Sequence, residues 1–137
     1  MTVTKHKILV TGGYGFIGGN FIRYLRSVFH QAVYIVNIDK NGYASNEEYA
    51  RPYCDETHHI DITDRLALES VLYEAVPYDY IFHFAAESHV DNSISGPTVF
   101  VESNVLGTQN LLECFRNQNK GHGKFIHIST DEVYGHL

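Results

Sequence analysis

Five short runs rich in β-branched and aromatic residues recur along this chain, separated by stretches of helical periodicity. Lys7 to Thr11 (KILVT), Val33 to Ile38 (VYIVNI), His58 to Asp61, Tyr80 to Ala85 (YIFHFA) and Lys124 to Ser129 (KFIHIS) read as strands. KILVT is almost continuously apolar, as in a strand buried on both faces. Between the first two runs, Phe21, Ile22, Leu25, Val28 and Phe29 recur at helical spacing. Thr63 is placed to cap a second helix running to about Ala75, with Leu66 and Val71 among its buried residues. Val101, Val105, Thr108, Leu112 and Phe115 step by 4, 3, 4 and 3, which is one face of a long helix. The polar stretch from Asn41-Gly42 to about Glu56 reads as a loop. Strand and helix alternating in this way predict right-handed βαβ units. The expected fold is α/β, a Rossmann-type parallel sheet of about five strands with helices on both faces.

The 137 residues suit one domain with a buried core. A net charge of −6, with no block of Lys or Arg, argues against a nucleic-acid surface. Cys54 and Cys114 lack paired spacing and imply neither a disulfide framework nor a zinc site. No apolar run is long enough to span a bilayer, and Met1 to Lys7 leads directly into a strand with no room for a signal peptide. A cytoplasmic, soluble protein is expected. His58-His59 is a poor metal pair, because neighbours on a strand point to opposite faces. His83 is expected to be a core histidine.

Gly12, Gly15 and Gly18 fall three apart where the first strand hands over to the first helix. A lone glycine triplet there is compatible with a simple flexible turn. Its context points further, because unpaired N–H groups and the helix dipole favour a pyrophosphate at that place. Missing side chains at Gly12 and Gly15 would admit the phosphates, and Gly18 would allow close helix–strand packing. Asp39, at the end of the second strand, is the acid expected on an adenosine ribose. It favours NAD over NADP by repelling a 2′-phosphate, a preference that Lys40 softens a little.

The spacing is G-x-x-G-x-x-G, and with four further blocks it resembles that of the extended short-chain dehydrogenase/reductases acting on nucleotide sugars. T-G-G-Y-G-F-I-G (11–18), N-I-D-K (37–40), D-I (61–62), A-A-E-S-H-V-D (85–91) and S-T-D-E-V-Y-G (129–135) match in order across nearly the whole chain. Within that group the resemblance is to the dTDP-glucose 4,6-dehydratases. It implies NAD as cofactor, with Phe16 and Ile17 on the pyrophosphate, Asp39 and Lys40 at the ribose, and Asp61-Ile62 beside the adenine. Phe84, Ala85, Ala86 and Ser88 would line the cofactor, and Ser88 would also reach the sugar nucleotide. Ser103 stands where these dehydratases usually carry a cofactor-contacting Thr, keeping the hydroxyl and losing a methyl. Thr130 would bond the sugar near its C4 hydroxyl. His89 and Asp91 lie in the fourth-strand block, where positioning the loop is as good an assignment as catalysis. Tyr43, Tyr49 and Tyr53 suit either an adenosine-side loop or simple loop packing.

Elimination of water across C5–C6 of a 4-keto sugar needs two proton carriers. Adjacent carboxyls at the end of a parallel strand can divide those tasks if their environments separate them. By resemblance Glu132 would be the base that takes the C5 proton, and Asp131 the acid that protonates the departing C6 hydroxyl. The first step in this group uses the Tyr of a Y-x-x-x-K motif, and none of the ten tyrosines here is followed by Lys four residues on. Residues 1–137 are therefore expected to be the NAD-binding part of such an enzyme, without the Tyr/Lys helix and substrate-binding C-terminal region. The chain alone is expected to be inactive. Three functions stay open: a dTDP-glucose 4,6-dehydratase, a UDP-glucose 4,6-dehydratase, and a truncated, non-catalytic NAD-binding module. The implied partners are a nucleotide-sugar substrate and, for the complete enzyme, a second copy packed along residues 99–118.

Overall fold

The computed structural model describes residues 5–74 and 76–136. In chain order these form β1 (His6–Thr11), α1 (Phe16–Phe29), β2 (Val33–Asp39), α2 (Glu47–Ala50), β3 (Glu56–His59), α3 (Arg65–Leu72) and β4 (Tyr80–His83). There follow α4 (Val90–Ser95), α5 (Pro97–Val101), a π-helical segment (Glu102–Gly107), α6 (Thr108–Asn119), β5 (Lys124–His127) and a 3-10 turn (Asp131–Tyr134). All strands pair in parallel, in the order β3-β2-β1-β4-β5.

Alternation along the central strands divides the core in two. Leu9, Val36, Ile38 and Ile81 join Leu68, Val71 and Leu72 of α3 and Leu111 and Cys114 of α6. Ile8, Val10, Val33 and Ile35 join Ile22 and Leu25 of α1 and Ala50 of α2. Successive strand residues point to opposite faces, so these clusters are the two sides of one sheet, each covered by helices. The expected Rossmann-type sheet is the observed one.

Several boundaries and faces differ from expectation. The third strand is Glu56–His59, not His58 to Asp61, and β4 and β5 end two residues early, at His83 and His127. The supposed loop after Asn41 contains α2, capped by the Asn46 side chain. Asp64, not Thr63, caps α3, accepting from the Ala67 amide at 3.1 Å. Thr63 is instead a donor, its amide and hydroxyl both bonded to Asp61. Leu66 on α3 is 78% exposed rather than buried, whereas Val71 is buried as expected. Ala75, the expected end of that helix, and Met1 to Thr4, on which the view of the N-terminus partly rests, lie outside the described residues. On α1, Ile22 and Leu25 are buried, but Val28 and Phe29 are exposed.

The long helix departs most. Its buried residues are Ser103, Gly107, Asn110, Leu111, Cys114 and, at its end, Asn119, while Val101, Val105 and Leu112 face outward. Hydropathy alone pointed to the wrong face because the inward one is half polar and small. Asn110 donates from Nδ2 to the carbonyls of Ile62 and Thr63, and a side chain at Gly107 would strike Ile62. Such close helix–loop contact excludes bulky side chains. Only Phe115 and Thr108 of the expected stripe are partly covered.

Candidate functional site

At the carboxyl ends of the strands the chain leaves β1 toward one side of the sheet and returns through α3 to β4 on the other. A crevice opens at such a switch point between adjacent strands. Here it measures about 520 Å³ and lies among the loops that follow all five strands.

The first wall is the glycine loop. Gly12 has φ +74°, its amide donates to the Ile38 carbonyl at 2.8 Å, and an added Cβ would stand 2.7 Å from the Ala85 amide nitrogen. Gly12 is thus where β1, β2 and the loop after β4 converge, a place that admits no side chain. At Gly18 an added Cβ would run into the Gly12 carbonyl, so α1 can lie that close to the turn only with glycine there. At Gly15 nothing but the Gly12 carbonyl lies near, at 3.3 Å. Gly15 also caps α1 without a side-chain bond. The first-turn amides of that helix therefore lack intrahelical acceptors and carry the positive end of its dipole. Phe16 (86% exposed) and Ile17 line the crevice beside them. This cradle fits a pyrophosphate.

The second wall carries charge. The buried Asp39 carboxylate accepts from the Tyr14 amide (3.0 Å), the Asn41 amide (2.7 Å) and the Ser45 hydroxyl (3.2 Å). Lys40 next to it forms an ion pair with Glu87, across the crevice in the loop after β4. Burial opposes the charge on Lys40, but the hydrogen bond and charge of Glu87, with Asp61 and Asp39 nearby, outweigh it and hold the ammonium's pKa up.

Behind Ala85, outside the crevice lining itself, lies a run of polar side chains. His83, 1% exposed, bonds Thr11 Oγ1 at 2.6 Å through Nδ1 and Thr108 Oγ1 at 2.9 Å through Nε2. The Ala85 amide donates to Thr11 Oγ1 at 3.3 Å. Burial, and secondarily the charge of His127, push His83 down to about 4, so at neutral pH the ring is uncharged. One neutral tautomer, with the proton on Nε2, satisfies the whole run.

Residues 9–137 match the profile of the family described as GDP-mannose 4,6 dehydratase. The chain belongs to that family. Among relatives of known name, a dTDP-glucose 4,6-dehydratase of Shigella flexneri is 44% identical over 142 residues, covering 96% of this chain and 38% of its own length. Among solved structures, DesIV, a dTDP-glucose 4,6-dehydratase from Streptomyces venezuelae with NAD and TYD bound, superposes with a TM-score of 0.82 at 43% identity. It is matched over 96% of this chain and 41% of its own. A UDP-glucose-4-epimerase from Stenotrophomonas maltophila with bound NAD gives 0.81 at 26% identity, covering 96% and 39%. The chain spans about two fifths of the length of these relatives.

Within this member of the family, the crevice brings together every residue expected at the cofactor. Gly12, Gly15, Phe16, Ile17, Gly18, Asp39, Lys40, Asp61, Ile62, Phe84, Ala85, Ala86, Ser88 and Ser103 all line it. Thr130 lines it too, but Asp131 and Glu132 do not. They sit on the exposed 3-10 turn immediately beyond Thr130. Of the three loop tyrosines only Tyr43 lines the crevice, whereas Tyr49 and Tyr53 both pack on the Arg23 guanidinium. Motif spacing did not single out Asn104, and it placed Thr108 only as one position of the helical stripe, with no role at the site. Asn104 clamps the Glu87 backbone, accepting from its amide at 2.8 Å and donating to its carbonyl at 2.9 Å. Neither pairing carries a local signal, because the partners are 17 and 25 residues away in sequence. Burial pushes the Cys54 thiol up to about 12 and raises that of Cys114, so neither is a ready thiolate. Among the described residues no group of His, Cys, Asp or Glu is arranged to hold a metal ion, and no helix is long and apolar enough to cross a membrane.

Proposed function

We propose that this chain is the NAD-binding part of a dTDP-glucose 4,6-dehydratase acting in the cytoplasm. The observation that carries the proposal is the crevice itself, which gathers all the residues expected at the cofactor between an uncapped helix N-terminus and Asp39. NAD, when bound, supplies a hydride store that is filled from C4 of the sugar and emptied at C6. The amides of the α1 first turn would hold the pyrophosphate, Asp39 would take a ribose hydroxyl, and Asp61-Ile62 would lie beside the adenine. Ser88 and Thr130 hold the sugar nucleotide, Thr130 near the C4 hydroxyl. Glu132 removes the proton from C5, the C6–O bond breaks as the C5=C6 bond forms, and Asp131 protonates the departing oxygen to give water. The C4 hydroxyl also needs a base, and no Y-x-x-x-K pair occurs in these 137 residues. A homodimer of the complete enzyme would pack along the helical stretch 99–118, where Val101, Val105 and Leu112 are exposed.

The test has two arms. Calorimetric titration of the 137-residue chain with NAD⁺ should show saturable binding. The polypeptide isolated from its source should convert dTDP-glucose to the 4-keto-6-deoxy sugar, in preference to UDP-glucose. Preference for UDP-glucose would move the assignment to the UDP-glucose dehydratases, and absence of NAD binding in both samples would overturn it. A second reading of the chain by itself is a non-catalytic NAD-binding module. Turnover by the 137-residue chain alone would rule that out.

A further inference from the structure

We propose that Glu87 sets the dinucleotide preference of this crevice by occupying Lys40, the one cation among the described lining residues that could receive a 2′-phosphate. The inference rests on the assignment of the crevice to a dinucleotide whose adenosine ribose lies at the end of β2.

Among the described residues Lys40 is the only Lys or Arg that lines the crevice. It directly follows Asp39, at the point where the ribose of a dinucleotide lies in a sheet of this order. A free ammonium there would be a natural partner for a phosphate on the 2′ oxygen. It is not free, since Glu87 from the loop after β4 accepts a hydrogen bond from its Nζ. The Glu87 side chain is only 13% exposed and the Lys40 side chain 41%, so the carboxylate is the better sheltered partner. Asn104 fixes the Glu87 backbone on both its amide and its carbonyl, so the acid is held in place rather than carried on a loose strap.

Asp39 alone is a weaker discriminator than its position suggests. Three donors already occupy its oxygens, and a carboxylate offers about four acceptor sites, leaving roughly one for a ribose hydroxyl. A 2′-phosphate arriving here would meet the Asp39 and Glu87 carboxylates, with their nearest cation already paired. The raised pKa of Lys40 agrees with a lysine that keeps its charge and spends it on Glu87.

The experiment is calorimetric titration of the 137-residue chain with NAD⁺ and with NADP⁺, for wild type and three variants, with thermal melts to check folding. Wild type should prefer NAD⁺. Glu87→Gln should shift the NADP⁺-to-NAD⁺ affinity ratio toward NADP⁺ by about tenfold, the scale of one charge-assisted contact to phosphate. Adding Lys40→Met to Glu87→Gln should abolish that gain. Lys40→Met alone leaves Glu87 unpaired and should not raise the NADP⁺-to-NAD⁺ ratio, and it reports even if Glu87→Gln folds poorly. An unchanged ratio in folded Glu87→Gln, or a rise in NADP⁺ relative to NAD⁺ in Lys40→Met, would overturn the inference while leaving the cofactor assignment intact. Binding of neither dinucleotide by wild type would overturn both.

Discussion

Thr11, His83 and Thr108 lie on β1, β4 and α6, and their side chains form one hydrogen-bonded run beneath the crevice. Their joint effect is to fix where the loops after β1 and β4 begin, since Ala85 is tied into the same run. Because His83 is held neutral by burial, its proton affinity is a stability term with a definite sign. Its folded pKa of about 4 lies below the ordinary 6.5, so the unfolded chain takes up a proton first as pH falls. The stabilisation is fully present above pH 6.5 and is lost as pH drops toward 4, amounting at most to about 3 kcal/mol. Urea midpoints measured between pH 7 and pH 4.5 should fall with acidification. They should fall less steeply in His83→Gln, although that variant should be less stable at pH 7. Equal slopes in the two proteins would assign the acid sensitivity to other groups.

At the scale of elements, α6 and the π-helical segment before it are organised by what they must approach rather than by where their apolar residues fall. Ser103, Gly107, Asn110, Leu111 and Cys114 form the inward face because Ile62, the crevice and the sheet lie against it. A π-helical turn at Glu102–Gly107 sits where such irregularities are often found, beside a candidate site. Two adjacent leucines test this orientation. Leu111 is fully buried, and its truncation to Ala should cost about 2–5 kcal/mol. Leu112 is 45% exposed, and the same change should cost no more than about 1 kcal/mol. Denaturant unfolding of Leu111→Ala and Leu112→Ala decides it, and a reversed order would restore the face that hydropathy suggests.

At the scale of the molecule, the sheet order places β5 at one edge, with its residues only partly covered. Thr130, Asp131 and Glu132 follow this least-covered strand, so they are exposed even though Thr130 borders the crevice. If these residues act in a complete dehydratase, the protein isolated from its source should have an intact mass more than twice 15.6 kDa. A mass of 15.6 kDa would favour the binding module instead. The sequence by itself determined the parallel sheet, the glycine loop and Asp39, while the other crevice residues were legible only through the family resemblance of its motif blocks. The first three follow from local rules: strand hydropathy, backbone space at glycine and an acid at a strand end. It could not determine which face of the long helix turns inward, that Asp64 rather than Thr63 caps α3, or that Lys40 is held by Glu87. The helix face and the ion pair depend on residues far apart in the chain, and the cap on how the turn after β3 places two neighbouring polar side chains. Only the folded sheet, bringing the ends of β1, β2 and β4 to one place, decided which polar group found which partner.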